Sequence, residues 1–221
     1  RIKQNGIPTD LVIHLADEKN ICEVESSEWC KFTGESKVSK EDILNNVVRT
    51  PPARAVNALK LTHELGAKRL VYASSGTVYE DGRPPMREGG VALGTKSVYA
   101  NYKAQAETAL MEFHKDLGIQ VTVLRYGNPI GCKFGLTYGL FGDSVSLGAA
   151  ITRFISGHVP IFTVDQHSEG DPFRSFIDIQ RLCTATTKVI IDQDGVLQGY
   201  DVFNIGGATV SPRQILLGYF S

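Results

Sequence analysis

The chain has 221 residues, 42% hydrophobic and 21% charged, with 23 basic against 24 acidic side chains and a net charge of −1. That is the composition of one large globular domain, or of one domain with a small lobe. The balanced charge argues against a nucleic-acid binder or a binder of anionic membranes, and no run of 18 or more apolar residues is present to span a bilayer. The cysteines Cys22, Cys30, Cys132 and Cys183 form no C-x-x-C pair. Neither a metal site nor a disulfide framework is expected from them, and they read as reduced thiols of a cytoplasmic protein.

Taken in chain order, "DLVIHLA" (Asp10 to Ala16) is a short apolar run that predicts a strand buried on both faces. His14 falls inside it and reads as a packed core histidine. Asn20 to Asp42 is polar around an isolated Trp29 and reads as a surface excursion. Ala53 to Leu65 sets Val56, Leu59 and Leu61 on an apolar stripe, with Gly66 placed to end the helix. Pro51 and Pro52 predict that this helix is kinked or restarted near them. "KRLVYASS" (Lys68 to Ser75) predicts a second strand, Tyr99 to Leu117 a longer amphipathic helix closed by Gly118, and "IQVTVLRYGN" (Ile119 to Asn128) a third strand. Cys132 to Ser146, rich in Gly and aromatics, reads as a loop over a pocket. "YDVFNIGG" (Tyr200 to Gly207) is the fourth strand. Strands alternating with helices predict βαβ units and an α/β fold on a parallel sheet, with right-handed crossovers placing helices on both faces.

Candidate chemistry gathers at strand ends. Tyr99 and Lys103, in "VYANYK", are four apart and share one helix face. An ammonium beside a phenol favours the phenolate, and such a tyrosine can take a proton from a sugar or alcohol hydroxyl. The same spacing also occurs on ordinary solvated helix faces. "ASSGTVYE" (Ala73 to Glu80) places Ser74, Ser75 and Thr77 just past the second strand, where open α/β sheets bind ligands. "RYGNPIG" follows the third strand in the same way. Each stretch alone could be a turn. Polar clusters at the ends of successive strands together indicate a site.

The ordered series "DLVIHLAD", "ILNNVV", "LVYASSGTVYE", "VYANYK", "VLRYGNPIG", "PFRSFIDI" and "FNIGGATVS" resembles the extended short-chain dehydrogenase/reductases of the NAD-dependent sugar-nucleotide epimerase/dehydratase type, over most of residues 10 to 215. The 4-epimerase branch is most similar: the triplet Ser75, Gly76, Thr77 lacks the carboxylates that the dehydratases and decarboxylases carry there. The resemblance implies a Rossmann-like doubly wound sheet, with residues 1–130 as part of the dinucleotide-binding domain and 131–221 contributing a small substrate lobe and the last strand. It implies NAD as cofactor, with NADP the alternative, a nucleotide-sugar substrate and a homodimer formed through the Tyr99 helix and the Ala53–Leu65 helix.

It also implies roles for residues. Tyr99 is the base, Lys103 holds the nicotinamide ribose and tunes Tyr99, and Ser75 orients the reacting oxygen, with Thr77 beside it on the substrate. Ala16, Lys19, Asn45 and Asn46 line the cofactor, and Ser74 and Tyr126 lie beside the nicotinamide. Asn128 and Arg174 contact the substrate diphosphate, Ser146 and Leu147 begin a helix near the nucleotide, and Phe162 lies beside its base. The reaction implied is epimerization by hydride abstraction and return. Two alternatives stay open: a reductase or dehydrogenase of the same fold, and a binding protein that keeps the fold without turnover.

The sequence departs from the family pattern in places. The Gly-rich turn with which the family begins does not appear, and "DLVIHLA" corresponds to the fourth strand of the family sheet, so the chain is expected to be part of a longer one. Arg49 stands where the family has Gly. Gly127 replaces an aromatic beside the nicotinamide, a change expected to widen the pocket. Ser175 replaces the Asp that follows the substrate arginine.

Overall fold

In a computed structural model of the chain, the residues described are 9–15, 51–79, 86–89, 98–133, 136–138, 174–191, 197, 199–210 and 214. They form strand β1 (Leu11–His14), helix α1 (Pro51–Glu64), β2 (Arg69–Ser75), a 3-10 turn (Gly76–Val78), α2 (Val98–Leu117), β3 (Gln120–Tyr126), β4 (Asn128–Lys133), β5 (Leu136–Tyr138), β6 (Arg174–Asp178), α3 (Ile179–Ile191), β7 (Tyr200–Ile205) and β8 (Ala208–Val210).

The first sheet has the order β1-β2-β3-β7, and all its pairings are parallel. β2 and β3 are apolar on both faces because helices cover both; β1, at the end of the described sheet, has Ile13 39% exposed, and Leu15 just beyond it 61%, which corrects the expectation that this run is buried on both faces. On one face Val56 and Leu59 of α1, and Ala106, Leu110 and Phe113 of α2, pack on Leu70, Tyr72, Val121 and Val123. On the other, Leu182, Ala185 and Val189 of α3 pack on Val71, Leu124 and Ile205. This is the doubly wound, Rossmann-like α/β arrangement expected from the alternating pattern.

Local chemistry sets the helix ends. The prolines that interrupt the pattern occupy the first turn of α1, where their fixed φ fits and no helical N–H is lost. Gly66, at φ +76°, ends the same helix: Gly66 N donates to His63 O and Ala67 N to Thr62 O, both at 3.0 Å. That pair of bonds is the Schellman motif, and Gly118 closes α2 in the same way. Asp178, in "FIDI", caps α3, its carboxylate accepting from Gln180 N at 2.9 Å and Arg181 N at 3.2 Å.

A second sheet has the order β5-β4-β6-β8. The expected third strand breaks at Gly127 and continues as β4; β7 passes through Gly206 and Gly207 into β8. Both strands thus leave the parallel sheet at its C-terminal edge and pair with opposite sides of β6. The chain is closely packed there. A Cβ on Gly127 would lie 2.8 Å from Ser175 O, and one on Gly207 would lie 2.1 Å from Phe176 O. Gly127 therefore admits the β6 backbone, which corrects the expectation that it widens a pocket. The segment expected as a loop from Cys132 starts with β4 paired antiparallel to β5. The β6 strand and α3 were not anticipated, since α3 carries Thr184, Thr186, Thr187, Val189, Ile190 and Ile191, β-branched residues of lower helix propensity.

Gly207→Ala is expected to destabilise the protein by about 3 kcal/mol, at the upper end of overpacking costs, because the obstacle is backbone. Gly66→Ala meets open space and is expected to cost only the left-handed conformation, about 1 kcal/mol. Urea unfolding of both variants, with unchanged m-values, checks the ranking.

Candidate active site

The C-terminal ends of β2 and β3 lie side by side, with Ser75 in register with Tyr126. Tyr99 and Lys103 occupy the first turns of α2, on the face that meets this end of the sheet. The Lys103 side chain is 3% exposed, and its Nζ donates to the Ala73 carbonyl at 2.8 Å. That ammonium also lies 5.0 Å from the Tyr72 ring centroid and 5.9 Å from the Tyr99 ring centroid. Two aromatic faces and a carbonyl offset the desolvation of a buried cation. Tyr99 in turn stacks with Tyr102, at 6.5 Å between centroids.

Ser75 ends β2 and caps the 3-10 turn. Its Oγ accepts from Thr77 N at 3.3 Å and from Thr77 Oγ1 at 3.0 Å. A hydroxyl oxygen has two lone pairs and one proton, so this arrangement leaves Ser75 poised as a donor. Thr77 is exposed and acts on Ser75.

The two residues expected beside a nicotinamide use their side chains otherwise. Ser74 Oγ donates to Glu107 Oε1 in the core, so its hydroxyl is turned into the α2 face. Tyr126 lies on the α3 face, its hydroxyl 2.9 Å from Thr186 Oγ1, and burial raises its pKa. Asn128 and Arg174 both lie on the second sheet and are exposed. Asn128 Nδ2 donates to Ser175 O at 3.1 Å, tying β4 to β6 beside Arg174. His14 is half-buried and stacks on Tyr72 at 5.5 Å between centroids. Ala16, Lys19, Asn45, Asn46, Ser146, Leu147 and Phe162 lie outside the described residues, as do Arg49 and the whole of Asn20–Asp42.

Beneath the strand ends runs a polar row that the sequence reading missed. Ser74, Arg125 and Asn204 are register partners across β2, β3 and β7. Glu107 reaches the row from α2: Arg125 Nη2 lies 2.7 Å from its Oε2, and Arg125 Nε lies 3.2 Å from both oxygens. The two side chains are 3% and 5% exposed. Arg125 Nη1 donates to Tyr79 OH at 2.8 Å and Glu88 O at 3.3 Å. Tyr79 OH donates to Asn204 Oδ1, and Asn204 N to Glu88 Oε1, both at 2.7 Å. Among the described residues, no buried side-chain nitrogen or oxygen lacks a hydrogen-bond partner. Burial would lower the Arg125 pKa, but the Glu107 carboxylate and the Tyr79 hydroxyl outweigh it and raise it. Tyr200 OH donates to Glu107 O at 2.9 Å; burial, then the Glu107 charge, push its phenol far above the ordinary tyrosine range. One signal was present in the sequence: Arg125 interrupts an apolar strand, and Glu107 continues the helical stripe of Tyr99 and Lys103.

The described residues include Ser75, Tyr99 and Lys103, which the resemblance sets around the nicotinamide end of the cofactor. There the chemistry fits: a buried ammonium, a tyrosine hydroxyl and a serine hydroxyl stand at the C-terminal edge of a parallel sheet, where a ribose diol and a reacting sugar oxygen need donors.

Two outcomes are expected. Arg125→Met leaves Glu107 buried without its partner and should cost about 3–5 kcal/mol; the double variant Glu107→Leu with Arg125→Met should recover part of the loss, measured by urea unfolding. The raised tyrosines set the alkaline limit. The unfolded chain releases these phenol protons near pH 10, whereas the folded protein retains them. Their contribution is therefore complete below about pH 10 and is lost as pH rises further. Unfolding midpoints between pH 8 and 11 should show that decline, made shallower in Tyr200→Phe.

A family model described as "NAD dependent epimerase/dehydratase family" matches residues 33–206. Among curated proteins, a UDP-glucuronate 4-epimerase of Thermodesulfobacterium geofontis is 27% identical over 166 residues, covering 73% of this chain and 46% of that protein. UDP-glucuronic acid decarboxylase 1 of Arabidopsis thaliana is 25% identical over 133 residues, or 58% of this chain and 28% of that one. The chain thus spans less than half the length of these relatives. Among solved structures, a UDP-glucose 4-epimerase from Bifidobacterium longum in complex with NAD+ and UDP superposes with a TM-score of 0.66 at 24% identity, over 99% of this chain and 62% of that one. A dTDP-glucose 4,6-dehydratase from Bacillus anthracis, in complex with NAD, gives a TM-score of 0.61 at 18% identity, over 98% and 57%. Both likenesses show the fold. With the family model covering well over half of its residues, the chain belongs to the NAD-dependent epimerase/dehydratase family.

Proposed function

We propose that the chain is the part of an NAD-dependent nucleotide-sugar epimerase that carries the acid/base residues. The observation that supports this most is the Lys103 ammonium, seated on the Ala73 carbonyl and between the Tyr72 and Tyr99 rings, next to Ser75 at the tip of β2. When bound, NAD supplies the acceptor that takes a hydride from the sugar carbon and returns it to the opposite face.

The chain's own residues do the rest. Tyr99, as the phenolate that the Lys103 ammonium stabilises, takes the sugar hydroxyl proton, holds it as the phenol, and later returns it. Ser75, its lone pairs engaged by Thr77, donates a hydrogen bond to the same sugar oxygen as that oxygen acquires carbonyl character. The buried ammonium of Lys103 also holds the nicotinamide ribose. Arg174 binds the substrate diphosphate, for which its planar fork is suited, and Asn128 braces the strand beside it. Ala16, Lys19, Asn45 and Asn46 complete the cofactor site, and Ser146, Leu147 and Phe162 the nucleotide site. The absence of a carboxylate from Ser75, Gly76 and Thr77 favours epimerization over loss of water. A homodimer through α1 and α2, which leave Leu61 39% and Met111 50% exposed, and a cytoplasmic location, consistent with the exposed free thiol of Cys183, belong to the same proposal.

The test is conversion of UDP-sugars to their C4 epimers by the purified full-length protein, with the nucleotide released on denaturation identified. Tyr99→Phe is expected to lower kcat by about 10²–10⁴-fold while NAD content is retained. Stoichiometric consumption of NADH or NADPH would instead establish the reductase alternative.

A further inference from the structure

Two successive turns of α2 grip two successive residues of β2. Lys103 Nζ donates to Ala73 O at 2.8 Å. One turn on, the Glu107 carboxylate accepts from Ser74 Oγ. Tyr99, Lys103 and Glu107 are spaced i, i+4 and i+8, so they lie along one stripe of the helix. The next residue of the strand is Ser75, and the preceding turn of the helix carries Tyr99. The grip therefore sits directly behind the pair that must meet one sugar oxygen.

Glu107 is itself held from below. Arg125, 4% exposed, reaches both of its oxygens. Arg125 is fixed in turn by Tyr79 and the Glu88 carbonyl, and Asn204 closes the group through Tyr79 and Glu88. A buried ion pair with every member hydrogen-bonded is a poor source of net stability compared with apolar packing. It does, however, fix orientation, because its bonds are directional and breaking any one leaves a buried polar group unmatched.

We propose that Glu107 is a positioning residue: locked by Arg125, it holds Ser74 and thereby fixes the Tyr99–Lys103 face of α2 against the strand end that carries Ser75. The consequence for turnover rests on the epimerase reading above. A displacement of about 1 Å between a base and its partner can cost about a hundredfold in rate, so a loose grip is felt in kcat and not in the binding of the distant nucleotide.

The test uses the full-length protein and Ser74→Ala, which removes the grip without changing charge or leaving Arg125 unpaired, with Glu107→Gln alongside. Thermal midpoint, NAD content, kcat and KM for the UDP-sugar, and the titration of Tyr99 are measured. The last is read by NMR of ring-labelled tyrosine and assigned with Tyr99→Phe. Expected in Ser74→Ala are a kcat lowered about tenfold to a hundredfold, a KM within about twofold, wild-type NAD content, and a Tyr99 titration moved to higher pH as the ammonium drifts from the phenol. Ser74→Thr, which keeps the hydroxyl, should restore all of these. A lowered midpoint with unchanged kcat and unchanged Tyr99 titration would make the network purely structural and overturn the proposal. Loss of NAD in Ser74→Ala would assign the residue to the cofactor and overturn it as well. If the wild-type protein turns over no UDP-sugar, the epimerase reading fails separately. The Tyr99 titration then decides alone: a shift in Ser74→Ala supports the positioning role, and no shift rejects it.

Discussion

The buried pairing of Glu107 with Arg125 is the constraint around which the described structure is arranged. It joins α2 to the middle of the parallel sheet at the level where strands give way to the site. A charge pair this deep is tolerable only if every remaining donor and acceptor is matched. Ser74, Tyr79, the Glu88 carbonyl and Asn204 perform that matching. The result is a polar layer one residue thick, with apolar core below it on β2 and β3 and Ser75 above it at the end of β2.

The same edge is where two strands change sheets. Gly127 and Gly207 let β6 approach the backbone of its neighbours, and Ser175 Oγ accepts from Gly207 N at 3.1 Å. Two departures from the family pattern, Gly127 and Ser175, are thus one packing arrangement. A side chain at 127 and the β6 backbone compete for one volume, and the small hydroxyl of Ser175 caps the β7–β8 crossing. Arg174 is carried on this junction, so its placement depends on the glycines that admit β6. The C-terminal edge of the parallel sheet is therefore held sterically on one side, at β6, and electrostatically on the other, at α2.

Lys103 illustrates how the local environment converts an ordinary spacing into a site. Y-x-x-x-K on a solvated helix would be two amphipathic side chains. Here the ammonium is driven into the sheet edge, where the Ala73 carbonyl and two tyrosine rings receive it. Burial removes competing water, so its interactions act at low dielectric and at fixed distance. The Tyr72 ring that helps to hold it is itself backed by His14 on β1, which gives the edge strand a part in placing the cation.

By itself, the sequence determined the periodicities and the breaks. The apolar runs from Asp10, Lys68, Ile119 and Tyr200 became parallel strands; those from Lys68 and Ile119 lie between two layers of helix, which a run apolar on both faces requires, whereas β1 keeps Ile13 exposed. Gly66, Gly118 and the Pro51–Pro52 pair marked helix ends by local backbone geometry alone. The stripe from Tyr99 to Lys103 was legible for the same reason, since i and i+4 are neighbours on any helix. The tertiary structure decided what depends on residues far apart in the chain. Ser74 turned away from the crevice because Glu107, 33 residues later, needed a donor. Tyr126 fell on the α3 face because a strand alternates and Arg125 was claimed by the other side. Gly127 proved to be a close approach only once Ser175 of β6, distant in the chain, was packed against it. Hydrophobic pattern is a property of neighbours in sequence; pairing of buried polar groups and contact between backbones are properties of neighbours in space.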